Sequence, residues 1–575
     1  MITGMTAGVR EEPREAVRPR TPRRLPLPTL LALLVGFAGV GYRLALLFAD
    51  VPPTNSDEAT MGLAALHIAR GEGFPVWFYG QAYMGTLEAY LAAPLVALAG
   101  PSVLVLRLPT LALYALFLLL SWRLTRRLGG DRWYALLVVA VLALGADRVV
   151  KNQLIAGGGY PELNPAGAAL ALLTVGLCVS GPGARLPRWA AWGLISGLLL
   201  WVDPLILPYV LTLGVLLVAR RRRELAGRAG LVLAGALLLG AAPMLVDSIR
   251  HGRNPVTAVL AAGGSGTAAD WADRLHGALV LGPPLAMGFC SPGRCATWQL
   301  WWAVAFPVLL VLAALTAWHT LRRASGRPGS AVRVSAGVRL ALLGGAAGVL
   351  AAYAVSNAAG QTPIESSRYL SCLAVAVPAL LWPLWQAARP LAARRLTGLR
   401  QFAEVAASEE GGYRHLPEME SIKATGGRAT GARARMAGVG ALAVLAGVLG
   451  TGASATVDVI RAAPDVHAEA DRHRSLVDTL GALDVRNVRG GYWTCNRLTY
   501  ATGENVVCAV VDDDLTPGFD RLPAYRREVA ADPDAAWVAP AGSPLAARLD
   551  ERLGTESGAL DVVTVAGWRI YLPRR

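Results

Sequence analysis

Long apolar runs constrain this chain more than any other feature. An α-helix rises about 1.5 Å per residue, so about 20 mostly apolar residues cross the roughly 30 Å hydrocarbon core of a bilayer. Such runs fall at 28–48, 103–121, 133–146, 163–180, 189–202, 204–219, 229–246, 298–320, 340–356, 368–386 and 437–455. Composition agrees: 54% of residues are hydrophobic, 17% are charged, and the mean hydropathy is +0.43. The chain reads as an α-helical polytopic membrane protein of about eleven transmembrane helices.

The formal net charge of +15 raises the question of nucleic acid, and the placement of the charge answers it. With the N-terminus inside, the segments between spans that fall in the cytoplasm hold thirty-one Lys and Arg, against seven in the outer loops. This is the positive-inside pattern, so the charge reports orientation and contact with anionic headgroups rather than nucleic acid. The bookkeeping keeps 82–99 at the outer interface rather than across the membrane. The domain reading that follows is a polar cytoplasmic N-terminus at 1–27, a transmembrane domain at 28–386, a cytoplasmic loop at 387–436, a last span at 437–455, and an extracytoplasmic domain at 456–575. That last segment mixes short β-runs (NVVCAVV, WRIYLP) with a helical run (SPLAARLDERL), the pattern of a small α/β domain.

Six cysteines fit the same orientation. Cys178 and Cys372 stand singly in apolar runs, where a thiol is a small hydrophobe. Cys290 with Cys295, and Cys495 with Cys508, form close pairs in segments assigned to the oxidising side, where disulfides persist. Around the second pair, GGYWTCNRLTYATGENVVC reads either as a ligand site or as a buried aromatic cluster.

The first outer loop carries the densest chemistry: NSDEATMGLAALHIARGEGFPVWFYGQAYMGTLEAYL, residues 55–91. Ser56 can cap a helix that places Asp57 and Glu58 in its first turn. Acids there favour the helix dipole, which is reason enough for their presence. They also stand beside Trp77, Phe78, Tyr79, Gln81, Tyr83 and Tyr90 at a membrane face. Aromatics in that position form an interfacial belt or line a groove of sugar size, and carboxylates deprotonate hydroxyls. Other outer loops add Lys151, Tyr160 and Glu162 (KNQLIAGGGYPELN), then Glu365, Arg368 and Tyr369 (IESSRYL), with Arg107 at the top of a span. Basic residues there snorkel toward headgroups or together hold a lipid phosphate.

One span, an outer loop with Asp-Glu and a helix, then YGQAYMGTLEAYLAAP and LRLP: this pattern resembles the membrane glycosyltransferases of the GT-C class, which include the protein O-mannosyltransferases and lipid A aminoarabinose transferases. The resemblance covers mainly 28–165 and, more weakly, 360–380. It implies transfer of a sugar from a polyprenyl-phosphate donor to an envelope acceptor, usually with inversion. It puts Asp57 in the role of catalytic base. Glu58 then assists or holds a divalent cation, the one cofactor the pattern suggests. Arg368, Lys151 and Arg107 are the candidate phosphate ligands. Tyr79, Gln81, Tyr83, Glu88, Tyr160, Glu162 and Tyr369 are the candidate groove residues. YGQ replaces the proline-rich segment of the better-known branches, so sugar and acceptor do not carry over. A transporter or flippase of lipid-linked saccharides is the rival; it calls for ionisable residues within spans, for which Asp203 is the conspicuous candidate.

Overall fold

The computed structural model describes residues 25–179, 185–254, 257, 267–324, 330–391, 428–555 and 560–574. The N-terminus expected at 1–27 and the loop expected at 387–436 lie mostly outside these residues. Helices occupy all eleven apolar runs. The first part of the chain forms α1 (Leu27–Phe48), α2 (Ser56–Arg70), α3 (Leu87–Ala99), α4 (Val103–Arg127), α5 (Arg132–Ala143), α6 (Asp147–Leu154), α7 (Tyr160–Val179), α8 (Leu186–Val202), α9 (Leu207–Leu225), α10 (Arg228–Gly240) and α11 (Ala242–His251). Two long helices, α12 (Trp302–Arg323) and α13 (Ala331–Val355), lead to a 3₁₀ stretch at Ser367–Ala376.

Among the described residues eight helical segments are long and apolar enough to span a membrane, and ten if two bent pairs each count once. At 17 residues, α8 falls just short. The chain is a multi-pass membrane protein, with α3 a short apolar helix of 13 residues.

The run at 133–146 is one of the bent pairs: α5 and α6 meet at 92°. A break at membrane depth frees backbone groups that water cannot satisfy. Here the protein satisfies them. Gly145 N–H donates to Thr456 Oγ1 at 3.0 Å, and Ala146 N–H to the Gly288 carbonyl at 2.9 Å. The short α8 is held against α10 by backbone contact. A Cβ at Gly193 would sit 2.3 Å from the Leu233 carbonyl, and one at Gly197 2.0 Å from the Leu237 carbonyl. Small residues four apart let two helices approach closely where no hydrophobic effect drives them together.

The last span does not end where the apolar run ends. It continues as one 55-residue helix, α14 (Arg428–Ala482), about 80 Å long at the usual rise. Its far end carries a five-stranded sheet: β1 (Asn487–Gly490), β2 (Val507–Val510), β3 (Ala536–Pro540), β4 (Leu560–Val565) and β5 (Trp568–Pro573), in the order β2-β1-β3-β5-β4. β1 pairs in parallel with β2 and β3, while β3–β5 and β5–β4 are antiparallel. Helices α15 (Tyr492–Ala501), α16 (Pro523–Ala531) and α17 (Pro544–Thr555) complete this α/β domain. Val488, Val510, Val538 and Ile570 form its core with Leu476 and Leu480 of α14. Cys290 is bonded to Cys295, and Cys495 on α15 to Cys508 on β2. Cys178 and Cys372 are free and buried.

Candidate active site at the seam between bundle and C-terminal domain

Helix α2 organises the site. Its cap is Asn55 rather than Ser56: the Asn55 side chain accepts Glu58 N–H at 2.9 Å. The Ser56 hydroxyl is spent on the Tyr492 carbonyl. Successive residues on a helix diverge by about 100°, so adjacent acids cannot share one partner face.

Glu58 turns into the bundle. Its two oxygens accept from Arg107 Nε and Nη2, both at 2.6 Å, and the two side chains are 0% and 1% exposed. Arg107 Nη1 also donates to the Pro52 carbonyl at 2.8 Å. The expectations that Arg107 reaches a phosphate and that Glu58 joins Asp57 around a cation therefore meet a different geometry. Each neutralises the other inside the protein, with the planar guanidinium matched to a bidentate carboxylate.

Asp57 turns toward the C-terminal domain. Its Oδ1 accepts the Tyr492 hydroxyl at 2.6 Å and Arg521 Nη2 at 2.9 Å. Its Oδ2 accepts no hydrogen bond from the protein among the described residues, and the side chain stays 28% exposed. Arg521 is fixed in turn. It donates to the Tyr492 hydroxyl and the Tyr79 carbonyl, and its guanidinium lies 4.6 Å from the Phe78 ring centroid and 5.5 Å from that of Phe519. Burial first, then the charge of Asp57, raises the Tyr492 phenol well above its ordinary value, so it remains a donor.

Across from this couple stand side chains from distant loops. Arg368 is within electrostatic reach of Tyr160, Tyr369 and Asp57. Tyr83 is within reach of Tyr369, Arg521, Arg368 and Asp203. The candidates Asp57, Tyr83, Tyr160, Arg368 and Tyr369 thus converge, joined by Asp203 and Arg521. Asp203 also caps the following turn through Leu205 N–H at 2.8 Å. Arg368 Nε is buried with no hydrogen-bond partner among the described residues.

Other candidates serve elsewhere. Glu88 is buried and accepts from Gly158 N–H at 3.2 Å and Gly159 N–H at 3.1 Å, which pins the glycine turn rather than lining a groove. Glu162 lies beside it, also buried. Lys151 pairs with Asp147 one turn away, at 3.1 Å. Gln81 sits in the tight turn closed by its N–H to the Phe78 carbonyl, with Oε1 buried and unpaired among the described residues.

The Tyr79 hydroxyl meets His67 Nδ1 at 2.7 Å, while His67 Nε2 meets Glu504 at 2.9 Å. Tyr525 and Arg70 also donate to Glu504. Burial opposes ionisation of Glu504, but the hydrogen bonds from His67 and Tyr525 and the charges of His67 and Arg70 win, holding its carboxyl down at about 2. His67, Glu72 and Glu504 bring metal-ligating atoms within 4.8 Å of one another. Arg70 and Tyr525 already engage Glu504, so a cation there would have to displace a guanidinium.

The residues that sequence reasoning missed come from the far end of the chain. Tyr492 stood in the aromatic run already singled out as a ligand site or a buried cluster. Arg521 carried no signal: DRLPAYRR reads as an ordinary polar turn.

No protein-family model matches the sequence, and no curated protein is similar enough to match. Solved structures do match. ArnT from Cupriavidus metallidurans bound to undecaprenyl phosphate superposes with a TM-score of 0.52 at 14% identity, covering 95% of this chain and 97% of that one. The apo form of the same protein gives 0.52 at 13% identity over the same shares. The Archaeoglobus fulgidus oligosaccharyltransferase reaches 0.43 at 11% identity over 89% of this chain and 69% of that one. ArnT is an aminoarabinose transferase of the GT-C type, and the likeness, over 95% of this chain, shows that it has the ArnT fold.

Proposed function

We propose that this protein is a membrane glycosyltransferase that moves a sugar from a polyprenyl-phosphate donor to an acceptor hydroxyl on the outer face of the membrane, where its C-terminal domain also lies. The observation that carries this reading is the state of Asp57. One carboxylate oxygen is held by Tyr492 and Arg521, the other accepts no hydrogen bond among the described residues, and the side chain is partly exposed and within electrostatic reach of Arg368. The undecaprenyl phosphate held by ArnT, a protein of the same fold, supports the donor class.

In this mechanism the acceptor hydroxyl oxygen attacks the anomeric carbon as the bond from that carbon to the phosphate oxygen breaks. The hydroxyl proton passes to Asp57 Oδ2, and the lipid phosphate leaves with the bonding electrons. Arg368 stabilises the charge that develops on it. Attack opposite the leaving group inverts the anomeric centre. Tyr83, Tyr160 and Tyr369 shape the cavity, and Arg107 and Glu58 hold α2 in place.

Membranes carrying the protein, supplied with a panel of radiolabelled polyprenyl-phosphate sugars, test the reading. At least one sugar should be transferred, and Asp57→Asn should cut turnover at least ~100-fold, the lower end of general-base contributions, with donor binding retained. Wild-type turnover by purified Asp57→Asn removes Asp57 from the mechanism.

A further inference from the structure

The C-terminal domain carries a cavity that the transfer chemistry does not use. The order β2-β1-β3 means that the chain leaves β1 toward β2 on one side and returns to β3 on the other. In open α/β sheets, ligands bind in the crevice at the carboxyl ends of strands where the order reverses in this way. In this domain a cavity of about 590 Å³ opens at that point, lined by residues that follow β1, β2 and β3, including Tyr492, Trp493, Thr494, Asp512, Asp513 and Ser543.

Three features say what the cavity suits. Trp493 is 62% exposed in a domain whose other apolar groups are mostly packed, and a flat exposed indole offers the apolar face on which a sugar ring's C–H groups stack. Thr494 is 5% exposed, lines the cavity, and its hydroxyl makes no hydrogen bond to the protein among the described residues. The hydroxyl oxygen is not sealed within the protein, so it is open to exchange hydrogen bonds with a ligand in the cavity. The carboxylates of Asp512 and Asp513 likewise carry no ion pair or hydrogen bond among the described residues, and they accept well from hydroxyls. No Lys or Arg lines the cavity, which disfavours a phosphate or an anionic lipid surface.

We propose that this crevice binds a neutral, polyhydroxylated acceptor glycan and presents it to Asp57. Tyr492 joins the two places, since it lines the crevice while its hydroxyl bonds Asp57 Oδ1. The presentation step rests on the transferase reading above; the binding itself does not.

The test uses the full-length protein in detergent with no donor present. Neutral trisaccharides of glucose, mannose and galactose are the probes, followed by saturation-transfer NMR and calorimetry, and phosphatidylglycerol vesicles form a parallel arm. At least one trisaccharide should bind, and Trp493→Ala or the pair Asp512→Asn with Asp513→Asn should weaken it at least ~10-fold, a loss of 1.4 kcal/mol or more, with an unchanged melting temperature. Asp57→Asn should bind it like wild type. Binding without any transfer by the wild type leaves the crevice standing and sinks the transferase reading. Transfer that proceeds with no trisaccharide binding and with Trp493→Ala at wild-type acceptor KM overturns the crevice alone. Protection of Trp493 by vesicles and not by saccharides also overturns it, and makes the patch a membrane contact.

Discussion

The Glu58–Arg107 and Asp57–Arg521 couples start from adjacent residues, yet one is sealed within the bundle and the other closes the seam between bundle and C-terminal domain. Both use a guanidinium on a carboxylate. Glu58 gives both oxygens to a partner 49 residues away and sees no solvent. Asp57 gives one oxygen to partners more than 430 residues away, and its other oxygen accepts no hydrogen bond among the described residues. The difference teaches that neither acid's identity nor its place in the first turn of α2 decides its role. What differs is whether the partner saturates the carboxylate: a saturated carboxylate can only fasten, and a half-satisfied one keeps an oxygen able to accept a proton.

That contrast predicts its largest effect at the sealed couple. Glu58→Gln or Arg107→Ala strands an uncompensated buried charge, at a cost of about 3–5 kcal/mol. Yield and thermal stability in detergent should fall sharply, and any protein recovered should still bind donor. Stable protein with only a lost rate would make Glu58 a participant in the chemistry and erase the distinction drawn here.

At the seam the expected effect is smaller and lies in the rate. Arg521→Gln removes a charge-assisted hydrogen bond worth about 1.5–3 kcal/mol, so transfer should drop roughly 10–100-fold with little change in melting. Tyr492→Phe removes a hydrogen bond to the same carboxylate, again worth about 1.5–3 kcal/mol, so transfer should drop by a similar roughly 10–100-fold. If both variants melt early and turn over normally, the Asp57 contacts are fasteners too.

The smallest effect concerns how the domain is clamped. The carboxyl of Glu504, held at about 2 against an ordinary 4.5, is a depressed acid. Its contribution is fully present above about pH 4.5 and is lost as pH falls toward 2. Glu504→Gln should flatten that part of the acid limb in a pH series of limited proteolysis at the seam, with its loss full at pH 6–8 and fading as pH falls toward 2. An unchanged acid limb would show that His67, Arg70 and Tyr525 do not clamp the domain through this group.

Much of the bundle was legible because membranes impose a length and a composition: 20 apolar residues announce a helix whatever it packs against. The bend between α5 and α6 was not, since only the donors and acceptors of Thr456 and Gly288 make a broken helix tolerable there. Asp57, Tyr83, Tyr160, Arg368 and Tyr369 could be nominated from outer loops rich in polar and aromatic residues. Glu88 and Arg107 have partners that the sequence did not announce, for one reason. A charged residue near an interface looks functional in sequence, and only its partner's position reveals that it is spent, Glu88 on two backbone N–H groups and Arg107 on Glu58.

By itself, then, the sequence determined which segments are helical and apolar, where basic residues gather between them, and that a carboxylate pair stands at the start of α2, because these depend on composition and local periodicity. Tertiary structure alone decided that Glu58 faces inward and Asp57 outward to Arg521, and that a crevice opens beside Tyr492. Those outcomes depend on contacts between residues from 49 to 464 positions apart, and no local propensity encodes a partner at that distance.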